Sequence, residues 1–438
     1  MKTKSNGRFW LALVIFSLIG QVAWVVENMY FNVFIYKMFN ASANSISLMV
    51  AASAVAATLT TVFIGSLSDK IGKRKLFICG GYIVWGISIM SFALIRTDII
   101  GAFIPSTVSA ASVGVSLVIL MDCVMTFFGS SANDAAFNAW LTDVTDETNR
   151  GSAEGVNSMM PLVAILVVFG GFMAFDLDKA SCWTAIFIII GAVVFIIGIL
   201  GIFLIKDTCQ KCEENSHYFQ NIFYGFRPSV IKENATLYIT LICFAIFGIS
   251  IQIFMPYLIL YYNVSLKLDN YVLIMAPAII IAAVVTAIYG KLYDKKGFTF
   301  SVIPSLLMLS VGYVILFIFK GTALVFIGSL FMMCGYLTGM AVFGAMIRDN
   351  TPLGKAGMFQ GLRIFGQVLI PGIIGPIIGS AVLKNAETIM NDDGTTSFIP
   401  NENIFLASLV VILILAIFIA IEFYVIKQRK VICNDKNN

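Results

Sequence analysis

The chain is poor in charged side chains, which make up 12% of its 438 residues, about half the share usual in soluble domains. It has one histidine, and 59% of its residues are apolar. This number of charges is too small to cover the surface of a soluble protein of this size. Lipid must therefore surround most of the chain. Secreted, disordered and nucleic-acid-binding proteins are excluded on this ground.

The sequence also lacks the motifs of common reaction centres. It contains no phosphate-binding glycine loop, nucleophile elbow or metalloprotease helix. Its eight cysteines form no disulfide framework, and Cys209-x-x-Cys212 has no clear fourth metal ligand. We therefore expect a protein that is not an enzyme and holds no cofactor or metal. Any energy that it uses must come from an ion gradient or from a solute itself rather than from ATP.

What the sequence does contain is long apolar runs. A helix needs about 20 apolar residues to cross the hydrocarbon core of a bilayer. Twelve runs are long enough, which predicts an all-α membrane protein with twelve transmembrane helices, numbered here as spans 1 to 12. They lie near 9–36, 44–66, 75–95, 112–142, 156–175, 183–205, 236–262, 270–289, 301–319, 322–347, 361–383 and 403–426.

The positive charges predict the orientation of these spans. If the N-terminus is cytoplasmic, the cytoplasmic termini and loops carry 22 of the 28 Lys and Arg residues. Loops rich in Lys and Arg remain on the cytoplasmic side. The split predicts a multi-pass protein of the cell membrane with both termini in the cytoplasm.

Two motifs occur twice in the chain. The pattern G-x-L-x-D-K-x-G begins at Gly65 and again at Gly290, and F-x-A-x-[LI]-x-D-x-T begins at Phe137 and again at Phe343. Each copy lies at a predicted cytoplasmic end of a span. An internal repeat of six spans returns the chain to the same side, as a parallel repeat requires.

The repeat divides the chain into three parts. These are an N-terminal six-helix half, residues 1–205, a cytoplasmic linker, 206–235, and a C-terminal six-helix half, 236–438. Two such halves suit alternating access to a central cavity.

The repeated loops also hold predicted gating residues. Glycines allow helices to approach closely, and acids can pair with bases across a junction that opens when the halves move. The alternative is that these charges only set the topology. The predicted gating residues are Gly65, Asp69, Lys70, Gly72, Arg74, Asp143, Arg150, Asp294, Lys295 and Asp349.

The loop from Gly65 to Arg74, with its weaker copy after Gly290, resembles the signature loop of major facilitator superfamily transporters. A finer resemblance, to the glycoside–pentoside–hexuronide:cation symporter family, rests on N-D-A-A-F-N-A-W at 133–140 and R-D-N-T-P at 348–352. The first resemblance implies the major facilitator fold. The second implies melibiose-type transport, with the acid of span 4 accepting hydrogen bonds from sugar hydroxyls.

The chain also departs from that finer pattern. Sodium-using members carry two Asp one turn apart in span 2, where this sequence has Ala57 and Thr61 and no acid at all. A span-11 Lys of melibiose-type members has no counterpart, and Arg363 is the nearest cation. These departures disfavour sodium and leave the sugar open.

Ionisable and amide side chains inside the spans mark a candidate site, because each charge costs about 2.5–3.5 kcal/mol there on insertion scales. Carboxyls and amides suit sugar hydroxyls, and aromatic rings suit the apolar sugar face. The alternative is that these polar side chains only bond neighbouring helices, and for Arg363 an anchoring role competes with binding of an anion. The predicted substrate-binding residues are Trp24, Glu27, Asn28, Asn32, Asp134, Asn138, Gln252, Tyr257 and Arg363.

Glu27 and Asp134 are also the predicted proton carriers, and Asp122 is either a proton relay or a structural acid. The predicted function is proton-coupled symport of a sugar or glycoside by a monomer, with sodium as the disfavoured ion. A facilitator-type transporter of another solute, such as a drug exporter or lipid flippase, is the main alternative. A sensor built on a transporter fold is a further one.

Overall fold

A computed structural model gives the structure of most of the chain. Of the proposed linker, residues 207–225 lie outside the described part. The structure describes residues 7–105, 107–145, 149–206, 226–268, 270–351, 362–391 and 395–435, with no description of the side chains at 66, 69, 150, 151, 154 and 421–435.

Long apolar helices dominate this part of the chain. Among the described residues, eleven helices are long and apolar enough to cross a membrane. Their membrane-spanning portions are Gly7–Phe39, Ala43–Gly65, Arg74–Leu94, Ala110–Val144, Gly155–Phe172, Ala180–Leu204, Ala235–Ser265, Val272–Ile318, Thr322–Asn350, Leu362–Val382 and Asn403–Ala420. Three helices continue beyond these portions, as Ala43–Ile71, Arg150–Phe172 and Asn403–Asp435.

The helix Val272–Ile318 contains two spans. Its 47 residues would extend for about 70 Å, more than twice the hydrocarbon thickness. At Gly297 the backbone leaves the helical region, with φ 75° and ψ −176°, a conformation open essentially to glycine alone. Spans 8 and 9 therefore meet at Gly297, and the described helices provide the twelve crossings predicted from the sequence.

Local signals at both ends fix the limits of span 2. Ser42 caps its start, because the Ser42 side chain accepts a hydrogen bond from the Ser45 amide at 3.2 Å. At its end Gly72 takes a left-handed conformation with φ 70°, the usual way for glycine to terminate a helix.

Several spans contain irregular segments. Span 1 changes from α-helix to π-helix at Val26–Tyr30, and span 4 does so at Ser130–Phe137. Span 7 contains a 3₁₀ turn at Met255–Tyr257, where Pro256 interrupts the helix, and then a π segment at Tyr261–Ser265. A fourth π segment, Phe365–Leu369, lies in span 11.

The shorter elements connect the spans. A 3₁₀ turn, Phe92–Leu94, ends span 3, and a short helix, Thr97–Phe103, precedes span 4. Pro228–Glu233 leads into span 7. Thr388–Met390 and Thr396–Phe398 pair as a two-stranded sheet between spans 11 and 12.

The chain forms two compact units. The first comprises Met1–Tyr218 with Ile389–Ser397, and the second comprises Phe219–Thr388 with Phe398–Asn438. The segment 389–397, which the sequence analysis counted with the second half, thus belongs to the first unit. Its side chains hydrogen-bond Asn40 there: Asn391 Nδ2 and Ser397 Oγ each donate to Asn40 Oδ1 at 3.1 Å.

Each unit has its own aromatic core. In the first, the Phe31 ring lies 4.7 Å from that of Phe92, and the Phe34 ring lies 4.8 Å from that of Phe187. In the second, Tyr313 and Phe405 pack together, and the Tyr313 hydroxyl lies 3.0 Å from Ser250 Oγ. Packed aromatic rings hold the spans of each unit in fixed register, which positions the polar side chains described next.

Candidate functional site

Two π segments place the polar side chains of the first unit. A π segment turns later residues of a helix relative to a regular α-helix, and such segments are frequent at functional sites. The segments Val26–Tyr30 and Ser130–Phe137 contain Glu27 and Asp134, respectively. Both predicted carboxyls are therefore carried on backbone that departs from the regular 3.6-residue period.

Asp134 accepts hydrogen bonds from its own helix. Ser130 Oγ donates to Asp134 Oδ2 at 3.0 Å, and Asn133 Nδ2 donates to Oδ1 at 3.3 Å. The buried Tyr82 hydroxyl lies 2.9 Å from Asn133 Oδ1 and fixes that amide. The buried indole N–H group of Trp24 lies beside the carboxyl. Asp134 itself is half-buried.

Glu27 is enclosed more completely, at 6% exposure. Its Oε1 atom accepts hydrogen bonds from Ser53 Oγ in span 2 at 2.5 Å and from Thr126 Oγ1 in span 4 at 2.9 Å. Asp122 lies one turn before Thr126 and is 1% exposed. Glu27 interacts electrostatically with both Asp122 and Asp134. The three predicted carboxyls are therefore linked electrostatically through Glu27, and we call them the carboxyl cluster, although Asp122 and Asp134 are about 18 Å apart along span 4.

The predicted amides bind back to their own helices. Asn28 Nδ2 donates to Trp24 O at 2.8 Å, and Asn32 Nδ2 donates to Asn28 O at 3.0 Å. Asn138 Nδ2 likewise donates to Asp134 O at 3.1 Å. Asn28 and Asn138 are exposed, whereas Asn32 is completely buried. Asn28 and Asn32 of span 1 therefore differ in exposure, and the π segment Val26–Tyr30 lies between Trp24 and Asn32.

At the predicted gate of the first unit, Arg74 pairs with Asp143. Arg74 Nε lies 3.0 Å from Asp143 Oδ2, and its Nη1 donates to Ser68 Oγ at 2.7 Å. The Arg74 side chain is 7% exposed and that of Asp143 is 29% exposed. This pair joins the start of span 3 to the end of span 4.

The other gating predictions of this unit are less constrained. Gly65 has room around it, since a Cβ there would meet only Ala135 Cβ, at 3.9 Å. Lys70 is exposed. The side chains of Asp69 and Arg150 lie outside the described part of the structure, so their pairing stays a prediction.

The second unit makes a different contact at the repeated position. Tyr293 Oη donates to Asp349 Oδ2 at 2.6 Å. Tyr293 corresponds to Ser68 and Asp349 to Asp143 by the sequence repeat. A tyrosine therefore reaches directly the acid that is bridged through Arg74 in the first unit. Asp294 and Lys295 are exposed.

The predicted site residues of the second unit are not brought together as one cluster. Tyr257 is completely buried, with its ring 6.2 Å from that of Phe398. Gln252 is half-buried. Arg363 Nε donates to Gln367 Oε1 at 3.1 Å, one turn further along span 11. Their part in binding a solute stays a prediction.

Four polar residues of the site were missed by sequence reasoning: Tyr82, Ser53, Thr126 and Asn133. A signal for Thr126 is present, because Asp122, Thr126, Ser130 and Asp134 recur every fourth residue. The spacing of four places successive residues on one helical face. Ser53 and Tyr82 carry no such signal, since each is an isolated polar residue in an apolar span.

Comparisons with known proteins bear on the fold. Nucleoside transporter NupG (D323A mutant) matches with a TM-score of 0.71 at 14% identity, over 95% of this chain and 99% of that one. The partially occluded, inward-open xylose transporter XylE from E. coli gives 0.68 at 13% identity, over 93% and 96%. An unoccupied, inward-facing bacterial homolog of the human lysosomal transporter Spinster gives 0.67 at 15% identity, over 96% and 97%.

At these identities the structural matches establish the fold alone. No curated protein matches the sequence. The family model of the Major Facilitator Superfamily, however, matches residues 9–376, which include both copies of the repeated loop. Together with the twelve membrane crossings, this match shows that the chain is a multi-pass membrane transporter belonging to the Major Facilitator Superfamily.

Proposed function

We propose that this transporter is a proton-coupled symporter of a sugar or glycoside, working by alternating access as a monomer. The observation that carries the proposal is the cluster of Glu27, Asp122 and Asp134, in which no described residue supplies a cation to neutralise the three acids. Acids of this kind inside a membrane protein mark substrate or ion pathways.

The solute-binding part of the proposal rests on Asp134 and its neighbours. Asp134 is half-buried, and the exposed amides of Asn28 and Asn138 lie on the same π-helical spans. Carboxylate and amide oxygens accept hydrogen bonds from sugar hydroxyls, and the Trp24 ring offers an apolar face beside them. This chemistry, with the span-4 motif that resembles the glycoside–pentoside–hexuronide:cation symporters, supports a polyhydroxylated solute over a purely apolar one.

The coupling part rests on Glu27. Its carboxyl is bonded by two hydroxyls and reached by no positive side chain of the described chain. A proton neutralises a buried carboxylate without requiring a cage of further oxygen ligands, whereas Ca²⁺-like or Na⁺-like sites need several. Span 2 supplies Ala57 and Thr61 where sodium-using relatives carry acids, which supports the proton as coupling ion.

The orientation is part of the same proposal. The 22 of 28 Lys and Arg residues on one side support cytoplasmic termini and a cytoplasmic linker in the cell membrane.

Solute exchange tests the binding part without requiring any ion gradient. The protein is reconstituted in liposomes loaded with unlabelled solute, and uptake of labelled glycosides, pentoses, hexuronates and nucleosides is measured. We expect exchange of at least one sugar or glycoside, and its loss in Asp134→Asn. Asp176→Asn, which changes an exposed acid in the loop between spans 5 and 6, is the matched control and should leave exchange unchanged. Exchange of nucleosides alone, or of no polyhydroxylated solute, would contradict the proposal.

A further inference from the structure

Two hydroxyl groups hold one oxygen of Glu27. Ser53 Oγ and Thr126 Oγ1 both lie within hydrogen-bond distance of Glu27 Oε1, at 2.5 and 2.9 Å, and 2.9 Å from each other. Each hydroxyl has one proton to donate. If both donate to Oε1, neither has a proton left for the other, so the arrangement fits an oxygen that accepts two hydrogen bonds.

The three residues come from three different helices. Glu27 is in span 1, Ser53 in span 2 and Thr126 in span 4. All three are buried, at 6%, 9% and 1% exposure. The carboxyl of Glu27 is therefore the point at which hydrogen bonds connect these spans inside the first unit.

The second oxygen of the same carboxyl has no partner. Glu27 Oε2 is buried without a hydrogen bond, and so is Asp122 Oδ1, one turn before Thr126. A buried charged oxygen without a donor is costly, and a proton bound there removes the charge. Since Oε1 already accepts two hydroxyl protons, Oε2 is the atom left to bind a transported proton.

Among the described residues, the titratable groups that interact with Glu27 or with its acidic neighbours lie in spans 3 and 4 of the first unit. Span 4 contributes Asp122, Cys123 and Asp134, and span 3 contributes Tyr82, which interacts with Asp134. No Lys, Arg or His in the described chain forms an ion pair with any of these acids. A change of charge on Glu27 is therefore not offset by a nearby cation.

From this geometry we propose that Ser53 and Thr126 are positioning residues of proton coupling. They hold Oε1 of Glu27, direct the proton to Oε2, and make the connection between spans 1, 2 and 4 depend on whether Glu27 is charged. Hydrogen bonds to an ionised oxygen are about twice as strong as those to a neutral one. Loading the proton thus loosens the connection, and releasing it restores the connection. The inference rests on the proposed function, since it assigns two further residues to its coupling step.

Paired substitutions distinguish the effect of losing the hydroxyl group from the effect of changing the size of the side chain. Thr126→Val and Ser53→Ala remove the hydroxyl, whereas Thr126→Ser and Ser53→Thr keep it. Thr58→Val is the matched control, because the buried Thr58 hydroxyl donates to Ala54 O of its own helix, at 2.8 Å, and not to Glu27. For each variant, accumulation driven by a pH gradient, gradient-free exchange and the pH profile of uptake are measured in liposomes.

We expect the hydroxyl-free variants to lose about tenfold in accumulation and to displace the midpoint of the pH profile by about one pH unit. Gradient-free exchange should persist. Thr126→Ser and Ser53→Thr should stay within about twofold of the parent, because each keeps a hydroxyl that can donate to Glu27. Thr58→Val should also stay within about twofold, because it removes no hydrogen bond to Glu27.

Two results would overturn the inference in different ways. If the parent accumulates solute on a pH gradient but Thr126→Val and Thr126→Ser behave alike, the hydroxyls only fill space. If the parent exchanges solute but ignores the pH gradient, proton coupling itself is wrong and this inference falls with it. A thermal unfolding midpoint for every variant identifies misfolding, and the nearly isosteric Thr126→Val keeps the test valid if Ser53→Ala does not fold.

Discussion

Gly20 is a residue whose small size makes room for polar side chains of the site. It lies in span 1 where Tyr82 and Asn133 meet, and a Cβ there would lie 2.6 Å from Tyr82 Oη and closer still to Asn133 Oδ1. The Tyr82 hydroxyl bonds the Asn133 amide, and that amide donates a hydrogen bond to Asp134. A methyl group at position 20 must therefore displace the pair that orients the candidate acceptor of the solute.

Gly20→Ala is expected to lower the free energy of unfolding by about 1–3 kcal/mol, the usual range for overpacking, and to weaken solute binding. The measurements are thermal unfolding of the purified protein in detergent and the half-saturation concentration for exchange. Gly170→Ala is the matched control, since a Cβ at Gly170 meets nothing within 4 Å. Equal behaviour of the two variants would show that the contact at Gly20 relaxes without cost.

For single residues, the sequence identifies the buried acids of the site better than the side chains that bond them. Glu27, Asp122 and Asp134 stand out because acids in apolar spans are costly, and the structure places them in one cluster. Ser53 does not stand out, since a hydroxyl in a span usually bonds its own helix, as the Thr58 hydroxyl does. Which hydroxyl turns to another helix depends on packing between spans, and a single sequence does not encode this in any local pattern.

At the scale of helices, the π segments explain where periodicity reasoning fails. A regular period of 100° per residue places Asn28 and Asn32 on nearly the same face, but the structure exposes one and buries the other. Most boundaries of the spans were predicted to within a few residues, because hydropathy integrates over the whole span. Span 8 is an exception, since it was predicted to end at 289 and continues to Gly297. A π segment hardly changes the mean hydropathy of a span, but it changes the directions of the side chains that follow it.

The join between spans 8 and 9 depends on backbone conformation at Gly297. Its φ of 75° is paired with ψ of −176°, and a Cβ would meet nothing within 4 Å. Gly297→Ala is therefore expected to cost about 1–3 kcal/mol through backbone strain alone. Gly290→Ala, a position with equal space and no unusual φ, should be neutral or slightly stabilising. Thermal unfolding of both variants checks this, and equal midpoints would contradict the strain.

The pair of Arg74 and Asp143 ties two helix ends of the first unit. Arg74→Ala leaves the 29%-exposed Asp143 without its cation. The expected loss of stability lies between the roughly 1 kcal/mol of an exposed pair and the 3–5 kcal/mol of a buried one. Exchange should slow while solute affinity is kept, since the pair is remote from Asp134 along span 4. Lys73→Ala, at an exposed neighbouring position, is the control. An equal loss of stability and of exchange rate in Lys73→Ala would show that the pair of Arg74 and Asp143 is not the cause.

At the scale of the whole molecule, the repeat was predictable but its asymmetry was not. The two loop motifs identify equivalent positions, yet the first unit bridges Ser68 to Asp143 through Arg74, and the second joins Tyr293 to Asp349 directly. Equivalent acids can thus be held by different partners. Residues 389–397 belong to the first unit although they follow span 11. No motif in the sequence predicts this assignment.

The orientation in the membrane can be measured by labelling single cysteines. In a background where the native cysteines are replaced, Lys70→Cys and Lys295→Cys should react only when a membrane-impermeant reagent reaches the cytoplasmic face. Lys267→Cys should react from outside. The expectation follows from the placement of 22 of 28 positive residues on the cytoplasmic side. External labelling of Lys70→Cys and Lys295→Cys would invert the proposed topology.

The central claim, that the buried carboxyls of the first unit couple transport to protons, is tested most directly by uptake into liposomes under imposed gradients. A pH gradient, a sodium gradient or neither is applied to the parent protein, to Glu27→Gln and to the control Asp176→Asn. We predict that the parent protein accumulates solute uphill on the pH gradient alone and that the control retains this accumulation. Glu27→Gln should abolish it, because glutamine keeps the size of the side chain but cannot bind and release a proton. Accumulation that follows sodium and ignores the pH gradient, or that survives in Glu27→Gln, would contradict the account.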